Sequence, residues 1–402
     1  MHNKKKTFTK ILPLALTSAV AMGLGQSALA EIVLYDQDDT TFSVDGYFNT
    51  FYVHSNVKSD DDSRDRNQSR VKMGFLPNYV GFNFGKQVND LKLGGRASFW
   101  VSINDGDDSG TSTAIDVRQF FGTVSSAEWG EVLIGKDFGL FGRSNIFLDE
   151  LLAGYGNVQD GPLALVDGGG VSFGNIGTGY PYAFPTSQIT YRNNNLAEGL
   201  RVAVGIMDPV DTNDSSSAAG KAYQDSPRLE SEVSYQFDLG GAAIYTWVNA
   251  TYQTSDNTDN QVDDLESRGV GYGVQAKMGG LSLTASGFQA EGLHPFFSNN
   301  LTKADLKNVE SDGYLLQGSY TFGKNRIALS YGITEDDGSK NNAWGPNTAA
   351  DYETTGVAYF RTINDNLKLV AEYTESKIDA DRNSAMVNET VKTLALGAAL
   401  SF

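Results

Sequence analysis

The chain has 402 residues, no cysteine and a formal net charge of -18. This acidity argues against nucleic-acid binding, and the lack of thiols removes disulfides as a means of stabilisation. After the first 30 residues no apolar stretch reaches the length of about eighteen residues that a membrane helix needs, which excludes a helical membrane protein. A membrane β-barrel stays compatible with a mean hydropathy of -0.31, because its strands show apolar side chains to lipid only at every second position.

The first 30 residues have the composition of a secretory signal. A basic start is followed by an apolar run over 11–24 and by the small-x-small sequence Ala28-Leu29-Ala30, in the order that signal peptides require. That order favours a signal peptide over an ordinary buried helix. Its removal leaves residues 31–402 with a charge of -22, because residues 1–30 contain four lysines and no acidic residue.

The remaining sequence consists of alternating segments of about ten residues, which are typical of half-exposed β-strands. In chain order, the first eight predicted strands are 42–53, 76–86, 91–103, 115–125, 131–136, 187–193, 200–207 and 228–238. The next seven are 242–253, 268–278, 281–291, 311–322, 325–334, 352–362 and 367–377, and a last segment ends at Phe402. The sequence therefore predicts an all-β chain of sixteen strands.

The links between these strands alternate in length. The segments 239–241, 279–280, 323–324 and 363–366 are tight turns, whereas 254–267, 292–310, 335–351 and 378–388 are long and polar. Short turns at one end and long loops at the other are typical of a transmembrane antiparallel β-barrel. The alternative, a row of secreted β-sandwiches, does not predict this alternation. A sixteen-stranded barrel is too wide for side chains to fill, so we expect a water-filled lumen.

The last segment shows the two faces most clearly. Its apolar residues Leu394, Leu396 and Leu400 share one face with Phe402, while small residues occupy the other face. Tyrosine and phenylalanine also cluster near the ends of other predicted strands, where amphipathic rings anchor a barrel at the membrane interface. General β-propensity favours the same residues, so the clustering supports the barrel only in combination with the alternation.

One link departs from the pattern, because about fifty residues (137–186) separate two strands. A loop of this length in a compact protein usually has a function. It contains apolar groups such as Phe138, Phe141 and Leu151, which need a surface to pack against. We therefore expect the third long loop to fold into the lumen and narrow it.

Several segments resemble the trimeric general porins of Gram-negative bacteria. The segments 117–124 (VRQFFGTV) and 129–136 (WGEVLIGK) are similar to the matching strands of that family, as are 189–193 (ITYRN) and the terminal Phe402. The resemblance covers essentially the whole chain after residue 30. It implies a homotrimer whose third loop carries an acidic edge, opposite a ladder of basic residues on the wall.

The family pattern and the strand periodicity together give candidate residues for the constriction. In the family pattern, Arg118 matches an arginine on the barrel wall in the fourth strand, and Arg192 lies near the position of another. The Pro-Glu-Phe-Gly-Gly-Asp sequence that is usual in the family's third loop is absent here. Periodicity adds two further arginines that face away from the apolar side, and Lys136 and Asp167 are weaker candidates. The predicted set is Arg96, Arg118, Arg192, Arg201, Asp149, Glu150 and Asp160, with Phe402 as an assembly signal.

The predicted function is passive diffusion of small hydrophilic solutes and ions through a channel in the outer membrane. Lipid and lipopolysaccharide of that membrane are the predicted partners of the outer surface of the barrel. Opposed charges across a narrow lumen order water and bias ion selectivity, and the charge of -22 favours cations weakly. The alternative is an oligosaccharide-selective channel with an aromatic track built from Trp100, Tyr155, Tyr180 and Tyr182. External loops could also serve as an adhesin or a phage receptor.

Catalytic and cofactor signals are weak. Only His54 and His294 remain after residue 30, and neither pairs with a nucleophile in the sequence, so we predict no enzymatic activity. The acidic run 104–110 lacks the spaced ligands and closing glutamate of an EF-hand, so we predict no cofactor and no metal. Gln119, next to Arg118, is expected to face outward on the side of the subunit contact.

Overall fold

The computed structural model describes residues 31–106, 115–156, 163, 165–212, 222–257, 264–300, 305–337, 348–382 and 384–402. The predicted signal peptide, residues 1–30, lies outside these ranges and stays a prediction. Among the described residues, no helix is both long enough and apolar enough to cross a bilayer.

The described strands form one antiparallel sheet that closes on itself, which confirms the predicted sixteen-stranded barrel. The first ten segments are β1 (Ile32–Gln37), β2 (Thr40–Ser59), β3 (Arg66–Lys72), β4 (Asn78–Val88), β5 (Leu91–Val101), β6 (Asp116–Ser126), β7 (Gly130–Phe138), β8 (Pro185–Asn193), β9 (Leu200–Met207) and β10 (Ala222–Tyr223). The others are β11 (Arg228–Leu239), β12 (Ala242–Asn257), β13 (Leu265–Met278), β14 (Leu281–Glu291), β15 (Glu310–Phe322), β16 (Asn325–Asp336), β17 (Ala350–Thr362), β18 (Leu367–Ala380) and β19 (Glu389–Ser401).

These nineteen segments make sixteen barrel strands. β3 and β4 pair with successive parts of β2 and together form the second barrel strand, and β10 and β11 likewise both pair with β12. β1 is an extra arm that pairs with the start of β2. The barrel closes where β19 pairs with β2, from Glu389 opposite Ser59 to Ser401 opposite Tyr47.

The predicted alternation of faces is confirmed along β19. Leu394, Leu396 and Leu400 are exposed on the outside, whereas Thr393 and Ala395 are buried on the lumen side. The same arrangement recurs around the barrel, because successive side chains of a strand point to opposite faces of the sheet. The outer surface is therefore apolar and the inner surface is largely polar.

A β-bulge interrupts this alternation in β6. Ser98 of β5 lies opposite Gln119, but Trp100 lies opposite Asp116, so β6 has one residue more than its partner. A bulge of this kind re-aims the side chains next to it. As a result, Arg118 reaches Tyr182 inside the barrel, although Gln119 is also buried there. The expectation that Gln119 faces outward is wrong, because regular alternation with the exposed Phe120 places it on the lumen side.

Two of the long loops fold into the lumen. Residues 139–184, here called the constriction loop, join β7 to β8 and contain the short helix α1 (Arg143–Phe147). The inward course of this loop was predicted. The link between β14 and β15 was predicted as a long polar loop, but its residues Leu293, Phe296 and Phe297 are at most 5% exposed. Its apolar residues are covered by the constriction loop, a contact that the local sequence does not indicate.

The polarity of the two faces predicts how the barrel responds to charge. We expect Leu396→Arg, on the outward face of β19, to lower the free energy of unfolding by about 2–4 kcal/mol in lipid, because the guanidinium loses its hydration there. Asp379→Arg, at the loop end of β18, is the control and should cost about 0–1 kcal/mol. Urea titration in lipid vesicles measures both. Equal costs for the two variants would show that this face does not meet hydrocarbon.

Candidate pore constriction

The constriction loop is held partly by apolar packing against the inner wall. Leu151 and Tyr155 of the loop are buried against Phe51 and Val53, which point inward from β2. The rings of Phe51 and Tyr155 lie 5.7 Å apart between centroids. At this part of β2 the lumen face is thus apolar, because it receives the loop rather than water.

Acidic side chains of the wall also hold the loop, by accepting bonds from its backbone amides. Glu230 on β11 accepts from the N–H of Leu140 at 2.6 Å and from that of Phe141 at 3.0 Å. On the opposite side, Glu372 on β18 accepts from the N–H of Gly156 at 2.6 Å. Each glutamate side chain thus accepts backbone N–H groups of the loop, and the two together fix the loop at two distant points of the wall.

Lys72 anchors a third part of the loop through its carbonyl groups. Its side chain on β3 is buried, and its ammonium donates to the carbonyl oxygens of Leu165, Val166 and Gly170, each at 3.0 Å. An ammonium has three donors, and here they converge on one bend of the loop. Sequence analysis missed this residue because the strand 66–72 was not predicted. Its inward position on the strand is the signal that could have identified it.

Asp149 lies at the centre of a polar network inside the loop. Its carboxylate accepts bonds from the Asn175 amide at 2.8 Å, the Tyr180 hydroxyl at 2.6 Å and the Gln317 amide at 2.7 Å. It also accepts from the backbone N–H of Leu151 at 2.8 Å. Burial raises the pKa of Asp149 above its ordinary value, while these donors favour the ionised form. The geometry gives Asp149 a structural role in the loop.

Glu150 is bound to the wall next to Asp149. It forms an ion pair with Arg326 of β16 at 2.8 Å and accepts bonds from the hydroxyls of Ser282 and Ser319 at 2.5 and 2.9 Å. Arg326 also donates to the backbone carbonyl of Glu150 at 2.8 Å and lies 4.2 Å from the centroid of the Phe360 ring. Sequence analysis missed Arg326, although its lumen-facing parity on β16 was available as a signal.

Two further acidic candidates lie elsewhere in the loop. Asp167 pairs with Arg66 of β3 at 2.5 Å and is more exposed than Asp149. Asp160 lies outside the described residues and stays a prediction. The described loop acids thus bond to groups of the loop and wall.

Arg96 faces the lumen from β5, as periodicity predicted, but it is almost fully enclosed. Its guanidinium binds both carboxylate oxygens of Asp45, at 2.7 and 3.0 Å. It also donates to Gln119 at 2.8 Å and to Asn83 at 2.6 Å. With the charge of Asp45 so near, the field that Arg96 contributes at a distance is small.

Arg118 links the wall to the constriction loop. It donates to the hydroxyl of Tyr182 at 2.9 Å and to Asp116 at 2.7 Å. The guanidinium carbon lies 5.3 Å from the ring centroid of Trp100 and 6.0 Å from that of Tyr182. Cation–π contacts of this kind orient an arginine strongly. The structure therefore brings Arg118 against the constriction loop, and its place in the basic ladder of the constriction stays a prediction.

Arg192 and Arg201 line a large cavity of the described structure. This cavity, here called the vestibule, has a volume of about 1200 Å³ and lies between the constriction loop and the tight turns. Arg192 bridges Asp137 at 3.0 Å and Glu131 at 3.5 Å, and Arg143 of α1 pairs with the same Asp137 at 3.4 Å. Arg201 forms no ion pair with another described residue. The vestibule joins these arginines to the underside of the loop.

Two sequence-based interpretations are corrected by the geometry. Lys136 shares the outward face of β7 with the exposed Ile134, so it does not reach the lumen. The proposed aromatic track is also wrong, because its members are buried within the loop and against the wall. They are Trp100, Tyr155, Tyr180 and Tyr182, of which none is more than 7% exposed.

Phe402 lies at the seam of the barrel. Its backbone N–H and C=O both pair with Gly46, and its ring stacks on Phe48 with 5.7 Å between centroids. A Cβ on Gly46 would come within 2.5 Å of the Phe402 ring, so the close approach requires glycine at this position. The role of Phe402 as an assembly signal stays a prediction.

The network around Asp149 leads to a prediction about the stability of the loop. Asp149→Asn replaces one accepting oxygen by an NH₂ group, which then faces other hydrogen-bond donors. We expect this substitution to destabilise the docked loop by about 1–3 kcal/mol. Hydrogen exchange of the amides near Leu151 should become faster. Asp365→Asn, in the exposed turn before β18, is the matched control and should leave that exchange unchanged. An unaltered rate in Asp149→Asn would mean that these bonds do not hold the loop.

Known proteins share this architecture and sequence pattern. A family model for Gram-negative porins matches residues 15–381. Porin-like protein L of Photobacterium profundum is 23% identical over 399 residues, which are 98% of this chain and 99% of the relative. The outer membrane porin PhoE of Enterobacter cloacae is 21% identical over 364 residues, with 87% and 91% of the two chains covered.

Solved structures of outer-membrane channels have the same fold. The outer membrane channel DcaP of Acinetobacter baumannii superposes with a TM-score of 0.67 at 16% identity, covering 92% of this chain and all of that chain. A trimer form of OmpT from Vibrio cholerae superposes with a TM-score of 0.51 at 14% identity, covering 91% and 100%. Because the family model matches most of the sequence and the barrel encloses a polar lumen, the chain belongs to the Gram-negative porins and forms a channel in the outer membrane.

Proposed function

We propose that small hydrophilic solutes and ions diffuse past the constriction loop by way of the vestibule, and that Arg192 and Arg201 act on the ions that pass. The observation that carries this proposal is the position of the two arginines. Both line the vestibule directly beneath the loop. Of the other described candidates, Arg96, Asp149 and Glu150 hold the loop and its surroundings in place, and Arg118 positions the loop through Tyr182.

The passage requires no chemistry, since a porin only has to favour some solutes over others. Fixed charges beside a narrow, water-filled space interact strongly with ions, because the protein around them screens poorly. Polar solutes keep hydrogen-bonding partners along such a wall. Apolar solutes must displace ordered water, which costs free energy. The arrangement thus favours small hydrophilic molecules.

The charge balance of the vestibule favours weak ion selectivity. Six basic and five acidic side chains line it, so neither sign dominates. The weak cation preference predicted from the sequence rests on the net charge alone. In the structure, the loop acids Asp149 and Glu150 bond to donors of the loop and the wall. The basic residues of the lining are Lys92, Arg96, Arg143, Arg192, Arg201 and Lys277, and the acidic ones are Glu31, Asp36, Asp90, Glu131 and Glu232.

Neutralising one vestibule arginine tests the assignment. We expect Arg201→Gln to shift the reversal potential in a salt gradient toward cations, because one positive charge leaves the ion path. Lys136→Gln removes the same charge from the outward face and serves as the matched control, with no shift expected. Planar-bilayer recordings measure both variants. If the two variants behave alike, Arg201 does not face the permeating ions.

We also propose that the protein assembles as a homotrimer through the side of the barrel that contains β2 and β3. On the outer face of these strands, Ser69 is hydrogen-bonded to His54 at 2.9 Å and to Tyr52 at 3.3 Å. His54 lies opposite Leu394 in the register of β2 and β19, so this polar group is level with the apolar band. Polar groups at that level are costly against lipid, and a second protein surface would accommodate them better. The trimer form of OmpT supports three copies as the assembly.

A bulky substitution at this polar group tests the assembly. We expect Ser69→Trp to convert trimers to monomers, because the indole occupies the space of the neighbouring subunit. Leu316→Trp, on the outward face of β15, adds similar bulk where lipid is expected and should leave the trimer intact. Light scattering of the detergent-solubilised protein reports the mass. Trimers in both variants, or a monomeric unmodified protein, would contradict the proposed interface.

A further inference from the structure

A second loop enters the lumen from the same end as the constriction loop. Residues 292–300, here called the capping loop, follow β14, and their apolar side chains are buried. Phe296 is fully enclosed, Phe297 is 2% exposed and Leu293 is 5% exposed. Much of the lumen wall is polar, so apolar groups buried at this position need a specific partner.

The constriction loop provides that partner through backbone pairing. The N–H of Tyr182 donates to the carbonyl of Phe296 at 2.8 Å, and the N–H of Ser298 donates to the carbonyl of Tyr182 at 2.9 Å. These bonds form a parallel bridge between Tyr182 and Phe297. The N–H of Phe184 adds a bond to the Ser298 hydroxyl at 2.8 Å. The two loops therefore share a short piece of sheet.

Side chains extend this junction on both sides. Phe296 packs so closely over Gly177 that a Cβ there would lie 2.3 Å from the ring, and Gly177 has a φ of +72°, which glycine adopts without strain. The ring of Phe296 also meets that of Tyr352 on β17 edge-on, with 4.9 Å between centroids. Phe297 meets Phe173 of the constriction loop edge-on at 5.4 Å. The capping loop thus contacts both the other loop and the wall.

His294 fits this apolar environment as a neutral ring. Its imidazole lies 5.1 Å from the Phe297 ring between centroids, and its Nδ1 accepts the backbone N–H of Phe296 at 3.1 Å. Burial lowers the pKa of His294 to about 3. The ring is therefore uncharged near neutral pH and packs like an aromatic residue.

The constriction loop and the capping loop are hydrogen-bonded to the barrel wall at separate points. Arg228 on β11 donates to the carbonyl of Ser298 at 2.8 Å, and Arg118 on β6 donates to the Tyr182 hydroxyl at 2.9 Å. Tyr352 provides a contact from the opposite side of the lumen. A unit held from several sides cannot move aside without breaking several contacts together.

We propose that the capping loop is a second constriction element, and that its junction with the constriction loop, centred on Phe296, Phe297 and Tyr182, sets the size limit of the channel. The inference goes beyond the ion path assigned to Arg192 and Arg201, because it concerns the loop end of the lumen. Solutes that enter from that end must pass around the united loops. Separating the loops should enlarge this entrance and admit larger hydrophilic molecules.

A reversible covalent tether tests the junction in one protein. The chain has no cysteine, so the double variant Tyr182→Cys/Phe297→Cys can form only the designed disulfide. Neighbouring extended segments lie about 4.8 Å apart, within the Cα spacing of about 4.4–6.8 Å that a disulfide accepts. We expect the oxidised protein to keep the conductance and sugar cutoff of the unmodified channel. Reduction should raise the conductance and speed liposome swelling with a tetrasaccharide.

Equal conductance in the oxidised and reduced forms would overturn the proposal. Failure to form the disulfide would overturn it as well, because the two positions would then not be adjacent. Both results would leave the ion selectivity assigned to Arg201 untouched, since that test uses a different part of the lumen. The two proposals can therefore fail independently.

An aromatic truncation provides a second variant that needs no cysteine. Phe296→Ala/Phe297→Ala removes the packing of the junction and should raise both conductance and the swelling rate with the tetrasaccharide. Phe99→Ala/Phe120→Ala makes the same change on the outward face and is the matched control, with an unchanged cutoff. If the truncated junction keeps the original cutoff while the capping loop becomes accessible to protease, the capping loop does not limit solute size.

Discussion

The need of every backbone N–H and C=O for a partner in hydrocarbon determines the rest of this structure. An open sheet would expose unpaired groups to lipid, so the strands close into a barrel, and β19 meets β2 along its whole length. Closure then reverses the distribution of polar and apolar side chains that is usual in soluble proteins. Apolar side chains such as Leu394 and Leu396 face outward, and the interior is left polar and wide enough for water.

A polar interior changes how a loop can be held inside the protein. In a soluble core, apolar packing would suffice, but here much of the wall consists of hydrogen-bonding groups. The constriction loop uses both kinds of contact. Leu151 and Tyr155 pack on apolar side chains of β2, while Glu230, Glu372 and Lys72 bind its backbone. These backbone bonds depend on the course of the loop more than on its side chains.

The use of polar contacts to hold the loop also explains why so many charged residues near the constriction have structural roles. A buried charge is tolerated only with compensating partners, and Asp149, Glu150 and Arg96 each have several. Asp149 and Glu150 thereby position the loop, whereas Arg96 joins neighbouring strands of the wall. Charges that can act on a solute must face open space, as Arg201 does in the vestibule. Net charge is therefore a poor guide to ion selectivity in a channel of this kind.

Sequence alone determined the class of fold, most of the strands and their two faces, since the alternation with period two is a local property of each segment. It also indicated that residues 137–186 fold inward. The tertiary structure decided which groups meet across the lumen. The bulge in β6 brought Arg118 to Tyr182, Arg326 and Lys72 became partners of the loop, and Phe296 carried a second loop into the channel. Such contacts join residues far apart in the chain, and no local pattern specifies them.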